Sequence, residues 1–292
     1  MNDDIRVVFQ SRNRAACADR ALVLASLQIP HQIVDDLSGS ALLVPAQYSV
    51  QAVEELRLYD EENPPPRQVA RKPFPYQNAV PGIIGYVIVI ALVAWLAGTS
   101  AFSQDWLGAG RNDGTLLRGG ELWRTITALT LHADLQHLAG NLVFGAFFGL
   151  LAGRLLGSGI AWLAIVLTAA SGNLLNTLLL DSAHRSIGAS TAVFAALGIT
   201  AGFVWRAKLM SQERWSYRIG PIVGGLALLM YTGTGDDKTD IGAHLMGFVC
   251  GFLGGVLLTR YRDCLTNARW QHVAALATLA IVAGAWVIAF LA

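Results

Sequence analysis

The chain has 292 residues, of which 54% are hydrophobic and only 14% are charged, with a mean hydropathy of +0.47. This composition excludes an ordinary soluble globular protein and indicates that most of the chain lies in a lipid bilayer. The net charge of +1 excludes a polyelectrolyte that binds nucleic acid, and three cysteines without metal or redox spacing exclude a disulfide-built fold.

Charged residues are concentrated near the N-terminus, where 18 of them lie within residues 1–72. This stretch alternates short apolar strand patterns with helical patterns and predicts a soluble βαββα module, with strands at 5–9, 31–35 and 41–44 and helices at 14–27 and 50–58. Prolines at 63–77 predict an extended, basic linker. The first residues lack the basic and apolar segments of a signal peptide, so the N-terminus is expected in the cytosol.

Seven stretches of the remaining chain approach the roughly 20 apolar residues that a membrane-spanning helix requires. They lie at about 80–98, 136–153, 159–180, 189–205, 218–232, 241–259 and 272–291. The fifth is the weakest, because Pro221 and two glycines interrupt it. With the N-terminus inside, the inner loops after the second, fourth and sixth spans carry eight Lys and Arg residues. The outer loops after the third and fifth spans carry only Arg185 and Lys238, which favours that orientation.

The connection between the first two spans, residues 98–135, is too long for a structureless loop inside a compact domain. Its tryptophans and leucines predict a compact structure partly sunk in the outer leaflet of the membrane. Within it, Trp123 and Arg124 fit either an anchor at the membrane interface or a more specific structural brace.

Polar side chains inside membrane spans are costly and therefore mark functional candidates. His137 and Asn141 lie on one face at the start of the second span, Ser190 begins the fourth, and His244 lies near the start of the sixth. These three spans enter the membrane from the same side, so the four side chains share one shallow layer that water can reach.

Small residues predict that the fourth and sixth spans pack closely. Gly247, Gly251 and Gly255 form one ridge on the sixth span, and the fourth span offers a ridge that begins with Ser190 and Phe194. Contact between the two ridges would bring the serine to the histidine of the sixth span. A serine hydroxyl becomes a nucleophile where a neighbouring imidazole takes its proton. Each residue alone also has an ordinary explanation as a helix cap or a packing residue.

These motifs resemble those of the rhomboid family of intramembrane serine proteases. The resemblance covers roughly residues 78–260 and rests on Glu121-Leu122-Trp123-Arg124 after the first span, His132-x4-His137-x3-Asn141 at the second, Gly188-x-Ser190 at the fourth, and Ala243-His244-x2-Gly247-x3-Gly251 in the sixth. It implies an α-helical polytopic membrane protein with a six-helix rhomboid core at 78–260. One extra C-terminal transmembrane helix follows within 261–292, and a small α+β cytosolic domain at 1–62 precedes the core.

The resemblance also assigns chemical roles. Ser190 is implied as the nucleophile and His244 as its general base, while His137, Asn141 and the Ser190 backbone N–H form an oxyanion hole. Structural support is implied for a further set of residues: His132, Trp123, Arg124, Gly188, Phe194, Gly247 and Gly251.

Individual positions carry more detailed expectations. His132 is expected to hold the long loop to the site, and Gly188 to leave room for the substrate backbone. Phe194 stands where the family often has a tyrosine packed against the catalytic imidazole. Thr191 departs from the family, in which glycine commonly follows the nucleophile. Asp240 lies one turn before the histidine of the sixth span and either orients its imidazole or is a solvated loop acid.

The implied activity is hydrolysis of a peptide bond in or near a transmembrane helix of another membrane protein. The expected partners are that substrate, the lipid bilayer and a cytosolic partner for the N-terminal domain. No nucleic acid, metal or cofactor is expected. The expected location is a bacterial inner membrane. Two other functions stay open: a catalytically silent relative that binds membrane helices, and a small transporter or proton channel that uses His137 and His244 as relays.

Overall fold

The protein is described by a computed structural model that covers residues 4–36, 39–64, 75–179, 184–207, 223–224 and 240–292. The chain divides into two compact units, Met1–Pro73 and Phe74–Ala292. Each unit has its own hydrophobic core and is described by itself.

The N-terminal unit is a small sheet with two helices. Its elements are β1 (Ile5–Ser11), α1 (Arg14–Ser26), β2 (Gln32–Asp36), β3 (Gly39–Pro45) and α2 (Ser49–Glu62), in the βαββα order that the sequence predicts. The strands are antiparallel in the order β1-β3-β2. The central strand alternates buried and partly exposed positions, so Leu42 and Val44 pack with Leu24 of α1 and Leu56 of α2.

The second unit is almost entirely helical. Its elements are α3 (Val80–Gly98), α4 (Trp106–Gly110), β4 (Asn112–Asp113), α5 (Gly114–Arg118), α6 (Arg124–Thr127), α7 (Leu135–Leu156), α8 (Ser158–Leu179), β5 (Arg185–Ser186), α9 (Ser190–Ala207), α10 (Ile241–Leu258) and α11 (Ala268–Leu291). Within the described residues, six of these helices are long and apolar enough to cross a membrane: α3, α7, α8, α9, α10 and α11. The polytopic helical fold is therefore confirmed. The predicted span at 218–232 lies outside the described residues except for 223 and 224.

The segment between α3 and α7 is compact, as expected, because side chains cap its short helices. Asp105 accepts a hydrogen bond from the Gly108 backbone N–H at 2.8 Å and begins α4. Asp113 accepts from two backbone N–H groups at the start of α5. A loop that satisfies its own backbone groups in this way can be folded closely against the membrane helices.

Arg124 is the brace of this segment and is almost fully buried. Its guanidinium donates to a Glu121 carboxylate oxygen at 2.7 Å and to the carbonyl oxygens of Gly108 and Arg111 at 2.8 and 2.9 Å. Of the two interpretations left open by the sequence, these contacts favour the structural brace for Arg124, because a buried guanidinium with three partners is not available to headgroups.

The centre of the membrane unit is α9, whose residues from Thr191 to Phe203 are buried except at Thr200. It packs against α7, α8 and, most extensively, α10. A Cβ atom on Gly251 of α10 would lie 2.2 Å from the Ala195 carbonyl oxygen, so the two helices meet backbone to backbone. The close contact expected from the glycine ridge is present.

The α9 residues at this contact differ from those that the pattern favours. The carbonyl oxygens against the α10 glycines belong to Thr191, Ala195 and Ile199, one residue further along the helix than Ser190 and Phe194. The ridge that begins with Ser190 is therefore beside the glycine contact and not within it. That offset leaves space for side chains where α9 and α10 begin.

Candidate active site

The segment that leads into α9 has a glycine-dependent backbone. Gly188 has a φ of +130°, and its N–H donates to the Ala128 carbonyl oxygen at 2.9 Å. A Cβ atom on Gly188 would lie 2.7 Å from two ring atoms of His137 and 3.7 Å from the Asn141 amide nitrogen. Glycine is thus required here both by its backbone conformation and by the side chains of α7. Ser190, two residues later, begins α9 and is partly exposed.

His244 lies in the first turn of α10 and is 6% exposed. Its ring stacks on the ring of Phe194, with centroids 4.6 Å apart and planes 24° apart. Phe194 follows Ser190 by one helical turn on the same face of α9. The stack therefore brings His244 to the face of α9 that carries Ser190. The His244 Nδ1 atom is buried and has no hydrogen-bond partner in the described part of the chain.

A small cavity lies where α9 and α10 begin. Its wall includes Gly188, Ser190 and Thr191 on one side and Asp240 and Ala243 on the other. The sequence predicts that the first turns of these two helices form one site, and the structure does bring them to one cavity.

The start of α7 supplies two polar side chains, His137 and Asn141, that lie against Gly188 in the wall of this cavity. Asp134 begins the helix, because its carboxylate accepts from the His137 backbone N–H at 2.8 Å. One turn further on, the Asn141 side chain is 6% exposed, and its amide nitrogen has no partner in the described part of the chain. The Asn141 carbonyl oxygen accepts from the Tyr86 hydroxyl of α3 at 2.7 Å, which fixes the backbone of α7 at this depth.

His132 precedes α7 and touches the site through His137. The two rings meet edge to face with their centroids 5.2 Å apart. Burial, followed by the nearby His137 ring, lowers the pKa of His132 from its usual 6.5 to about 4. His132 is therefore neutral at pH 7. Its expected role in holding the long loop stays a prediction, and the contact it makes is with His137 directly.

The remaining residues predicted as structural support are Arg124, Trp123, Gly247 and Gly251. Arg124 bonds to the α3–α7 segment, and Trp123 packs in a cluster with Trp106, Leu131 and Trp286. Gly247 and Gly251 lie in the α9–α10 contact, where a Cβ atom on Gly247 would be 2.5 Å from the Thr191 carbonyl oxygen. Of these contacts, the one between Gly247 and Thr191 adjoins the cavity, since Thr191 is part of its wall.

Asp240 has neither of the two roles that the sequence suggests for it. Its carboxylate accepts from the Asn176 amide at 2.9 and 3.1 Å, from the His184 Nε2 at 2.7 Å, and from the Ala243 backbone N–H at 2.9 Å. In the described part of the chain the carboxylate makes no hydrogen bond to the buried Nδ1 of the His244 imidazole, and the Asp240 side chain is 15% exposed. Asp240 is thus a helix cap tied to two other segments, and neither a solvated acid nor a partner of the imidazole.

Two further residues, His184 and Tyr86, make contacts next to the site that the sequence pattern does not predict. His184 lies six residues before Ser190 in a loop, where a histidine has no periodic pattern to mark it. Tyr86 lies in the first span, where its ring stacks on Trp162 with centroids 4.7 Å apart and its hydroxyl reaches the α7 backbone. A polar group inside a predicted span is the signal that could have found Tyr86.

The arrangement is chemically specific. It combines the partly exposed Ser190 hydroxyl at a helix N-terminus, the His244 imidazole stacked on Phe194, and the Asn141 amide, whose nitrogen has no partner among the described residues. These are the groups needed to attack a carbonyl and to stabilise the resulting oxyanion. In the described residues, no group of three or more His, Cys, Asp or Glu side chains could hold a metal ion.

Comparison with known proteins gives a consistent result. A family model described as "Rhomboid domain" matches residues 119–261, which include Ser190, His244, His137 and Asn141. The match covers neither the N-terminal unit nor α11.

Several curated proteins are similar to this chain. Rhomboid-like protease 3 of Toxoplasma gondii is 36% identical over 134 residues, covering 45% of this chain and 49% of the relative. Rhomboid-like protease 2 of the same organism is 29% identical over 183 residues, covering 61% and 63%. Rhomboid protease GluP of Bacillus subtilis (strain 168) is 24% identical over 188 residues, covering 63% and 36%. The chain thus spans about half to three fifths of the length of the first two relatives and about a third of the third.

Proposed function

Because this chain belongs to the rhomboid family, we propose that it is an intramembrane serine endopeptidase that cleaves a peptide bond in or near a transmembrane helix of another membrane protein. The observation that carries the proposal is the stack of Phe194 on His244, which brings the imidazole to the α9 face that begins with Ser190. The relatives named as proteases support the same general activity.

In the proposed mechanism, the Ser190 hydroxyl oxygen attacks the carbonyl carbon of the scissile bond while His244 takes the hydroxyl proton. The tetrahedral intermediate collapses when His244 returns that proton to the leaving amine, which leaves an ester between Ser190 and the acyl half of the substrate. Water then attacks the ester carbonyl carbon while His244 takes a proton from it. His244 gives that proton to the Ser190 oxygen as the ester bond breaks, which releases the carboxylic acid and the free serine.

The negative oxygen of the tetrahedral intermediate needs hydrogen-bond donors that are already in place. We assign this role to the His137 side chain, the Asn141 amide and the Ser190 backbone N–H. The position of the first two side chains against Gly188 supports the assignment, as does the buried Asn141 nitrogen, which has no partner among the described residues. Such a donor can bond the developing oxyanion without first giving up a partner in the described part of the chain.

The pair of Ser190 and His244 is proposed to act as a dyad. In the described residues no carboxylate bonds the buried Nδ1 of His244, and Asp240, the nearest acid in sequence, is engaged by other partners. The orientation of the imidazole then depends on packing against Phe194.

The substrate is proposed to be a membrane helix whose end unwinds easily. A helical backbone resists proteolysis because its carbonyl groups are already hydrogen bonded. Small or helix-weakening residues near the cleaved bond are therefore expected. The cytosolic N-terminus and the bacterial inner membrane stay predictions from the sequence.

A serine-directed fluorophosphonate probe tests the proposal on the full chain in detergent or liposomes. Wild-type protein should label at Ser190, and Ser190→Ala should lose labelling and peptide cleavage. His244→Ala should lose nearly as much activity, because the two residues act as one unit. Ser171→Ala is the matched control, since Ser171 is exposed on α8 and its hydroxyl donates to the Leu167 carbonyl oxygen of the same helix at 2.9 Å. Labelling that persists in Ser190→Ala would contradict the proposal.

A further inference from the structure

We propose that His184 and Asp240 are positioning residues, whose mutual hydrogen bond sets the segment leading to Ser190 against the helix that carries His244. The inference rests on the function proposed above and adds a residue, His184, to the apparatus of that site. Neither residue is proposed to touch the substrate or the reacting atoms.

On the α10 side, one carboxylate organises the whole first turn. Asp240 accepts from the Ala243 backbone N–H at 2.9 Å, and the Asp240 carbonyl accepts from the His244 backbone N–H at 3.2 Å. The same carboxylate accepts from the Asn176 amide of α8 at 2.9 and 3.1 Å. The turn that holds His244 is therefore fixed to α8 through Asp240.

A second contact shows how closely α10 approaches α8 at this point. A Cβ atom on Gly242 would lie 2.3 Å from the Asn176 side-chain oxygen. With this little space, a displaced carboxylate at 240 would displace the whole first turn of α10.

On the α9 side, His184 belongs to a segment that is anchored before it reaches the site. Its carbonyl oxygen accepts from the Gly114 backbone N–H at 3.0 Å. The next two residues form β5, which pairs with β4, and there the Arg185 Nε donates to an Asp113 carboxylate oxygen at 2.8 Å. The chain from 184 to 186 is thus attached to the α3–α7 segment, and it runs on to Gly188 and Ser190.

The His184–Asp240 bond joins these two anchored parts. The His184 Nε2 lies 2.7 Å from an Asp240 oxygen, and the two side chains are 24% and 15% exposed. A carboxylate can only accept, so the Nε2 atom carries the proton of this bond. The Asp240 carboxylate is consequently bonded both to His184, in the segment that leads to Ser190, and to the first turn of α10, which carries His244.

The consequence for catalysis follows from distance. A misplacement of the reacting groups by about 1 Å, even one caused by a change at a distant residue, can lower the rate by a factor of about 100. The reason is that proton transfer requires the two groups to lie within hydrogen-bond distance. The Phe194 stack restrains the imidazole ring, while the His184–Asp240 bond restrains the backbones on which Ser190 and His244 are mounted.

The test compares His184→Leu, which removes the hydrogen bond, with His184→Gln, whose amide nitrogen reaches a position similar to Nε2. His272→Leu is the matched control, since His272 is an exposed histidine on α11. For the full chain in liposomes, we expect His184→Leu to lower kcat and the fluorophosphonate labelling rate by about tenfold with KM unchanged. His184→Gln should stay within about threefold of wild type, and His272→Leu should match wild type.

A second measurement does not depend on activity. Amide hydrogen exchange followed by mass spectrometry should be faster in peptides covering 184–190 and 240–246 of His184→Leu, and unchanged in His272→Leu. Wild-type kcat in His184→Leu, equal losses in the leucine and glutamine variants, or unchanged exchange in both peptides would each overturn the inference. A wild-type chain that fails to label at Ser190 would instead refute the proposed function, while the exchange data would still report on the His184–Asp240 bond.

Discussion

The ring of Phe194 lies on the imidazole of His244 with centroids 4.6 Å apart and planes 24° apart. The imidazole Nδ1 is buried and has no hydrogen-bond partner in the described part of the chain. In a Ser-His-Asp triad, a carboxylate on this nitrogen orients the base. Here an aromatic face provides the restraint, so the orientation of His244 depends on a residue that carries no polar group.

Replacing Phe194 by leucine should therefore reduce catalysis more than stability. The change keeps an apolar side chain but removes a ring contact worth about 0.5 to 1.5 kcal/mol, so kcat is expected to fall by about two- to thirteenfold. Phe194→Tyr keeps the ring and should retain kcat. Peptide cleavage and probe labelling rates measure the effect, and equal rates for the leucine and tyrosine variants would show that the stack does not matter.

Asn141 should show the same separation of activity and stability, and more strongly. Its buried amide nitrogen bonds nothing in the described residues, so Asn141→Ala removes no hydrogen bond that this nitrogen makes there. The melting temperature is expected to stay level or to rise, while kcat falls by about 10² to 10³ if the nitrogen stabilises the oxyanion.

The control for this experiment is another buried asparagine of a membrane helix. The Asn173 amide donates to the Thr125 carbonyl oxygen at 2.9 Å, so Asn173→Ala should lower the melting temperature. An Asn141→Ala protein that is destabilised as much as Asn173→Ala and cleaves normally would remove Asn141 from the oxyanion hole.

The sequence predicts the membrane helices and the grouping of the site well, for physical reasons. Long apolar runs have few alternatives in a bilayer. Helical periodicity then puts His137 and Asn141 on one face, and the common direction of the spans puts Ser190 and His244 at one depth. Both arguments need only local spacing and the thickness of the membrane.

The hydrogen-bond partners could not be predicted in the same way. Asp240 bonds Asn176 and His184, which lie 64 and 56 residues away in the chain. Arg124 bonds two backbone carbonyls, and every residue in a protein has one, so no side-chain pattern marks the choice. The pattern likewise favours the ridge of Ser190 and Phe194 against the α10 glycines, whereas these glycines contact the residues that follow, Thr191 and Ala195. Small side chains occupy neighbouring positions on α9, so the pattern does not distinguish the two ridges.

His132 should make the protein sensitive to acid. Burial lowers its folded pKa to about 4, whereas the unfolded chain titrates near 6.5, so the unfolded state binds more protons between these values. Its contribution to stability is complete above pH 6.5 and is lost as the pH falls towards 4. From pH 7 to pH 5 the loss is expected to be about 2 kcal/mol.

The measurement is the free energy of unfolding in detergent micelles at pH 7 and pH 5, for wild type and for His132→Gln. Glutamine does not titrate in this range, so the variant should lose about 2 kcal/mol less stability than wild type on acidification. Parallel losses in both proteins would mean that His132 is protonated in the folded state at pH 5.

Two glycine-to-alanine substitutions test whether the α9–α10 contact determines stability. A Cβ atom on Gly251 would lie 2.2 Å from the Ala195 carbonyl oxygen and 2.8 Å from its Cα, both backbone atoms that cannot move without their helix. Gly251→Ala should therefore push the two helices apart and destabilise the protein by about 1 to 3 kcal/mol. Because α9 carries Ser190 and α10 carries His244, activity should fall as well.

Gly284 provides the matched substitution, because it lies inside α11 and a Cβ atom there would meet nothing within 4 Å. Alanine is a better helix former than glycine by about 1 kcal/mol, so Gly284→Ala should be neutral or stabilising and fully active. Unfolding free energies and cleavage rates of the two variants give the comparison. If Gly251→Ala matched Gly284→Ala in both, the two helices would have room to separate, and the close backbone contact could not be what fixes the distance between the serine and the histidine.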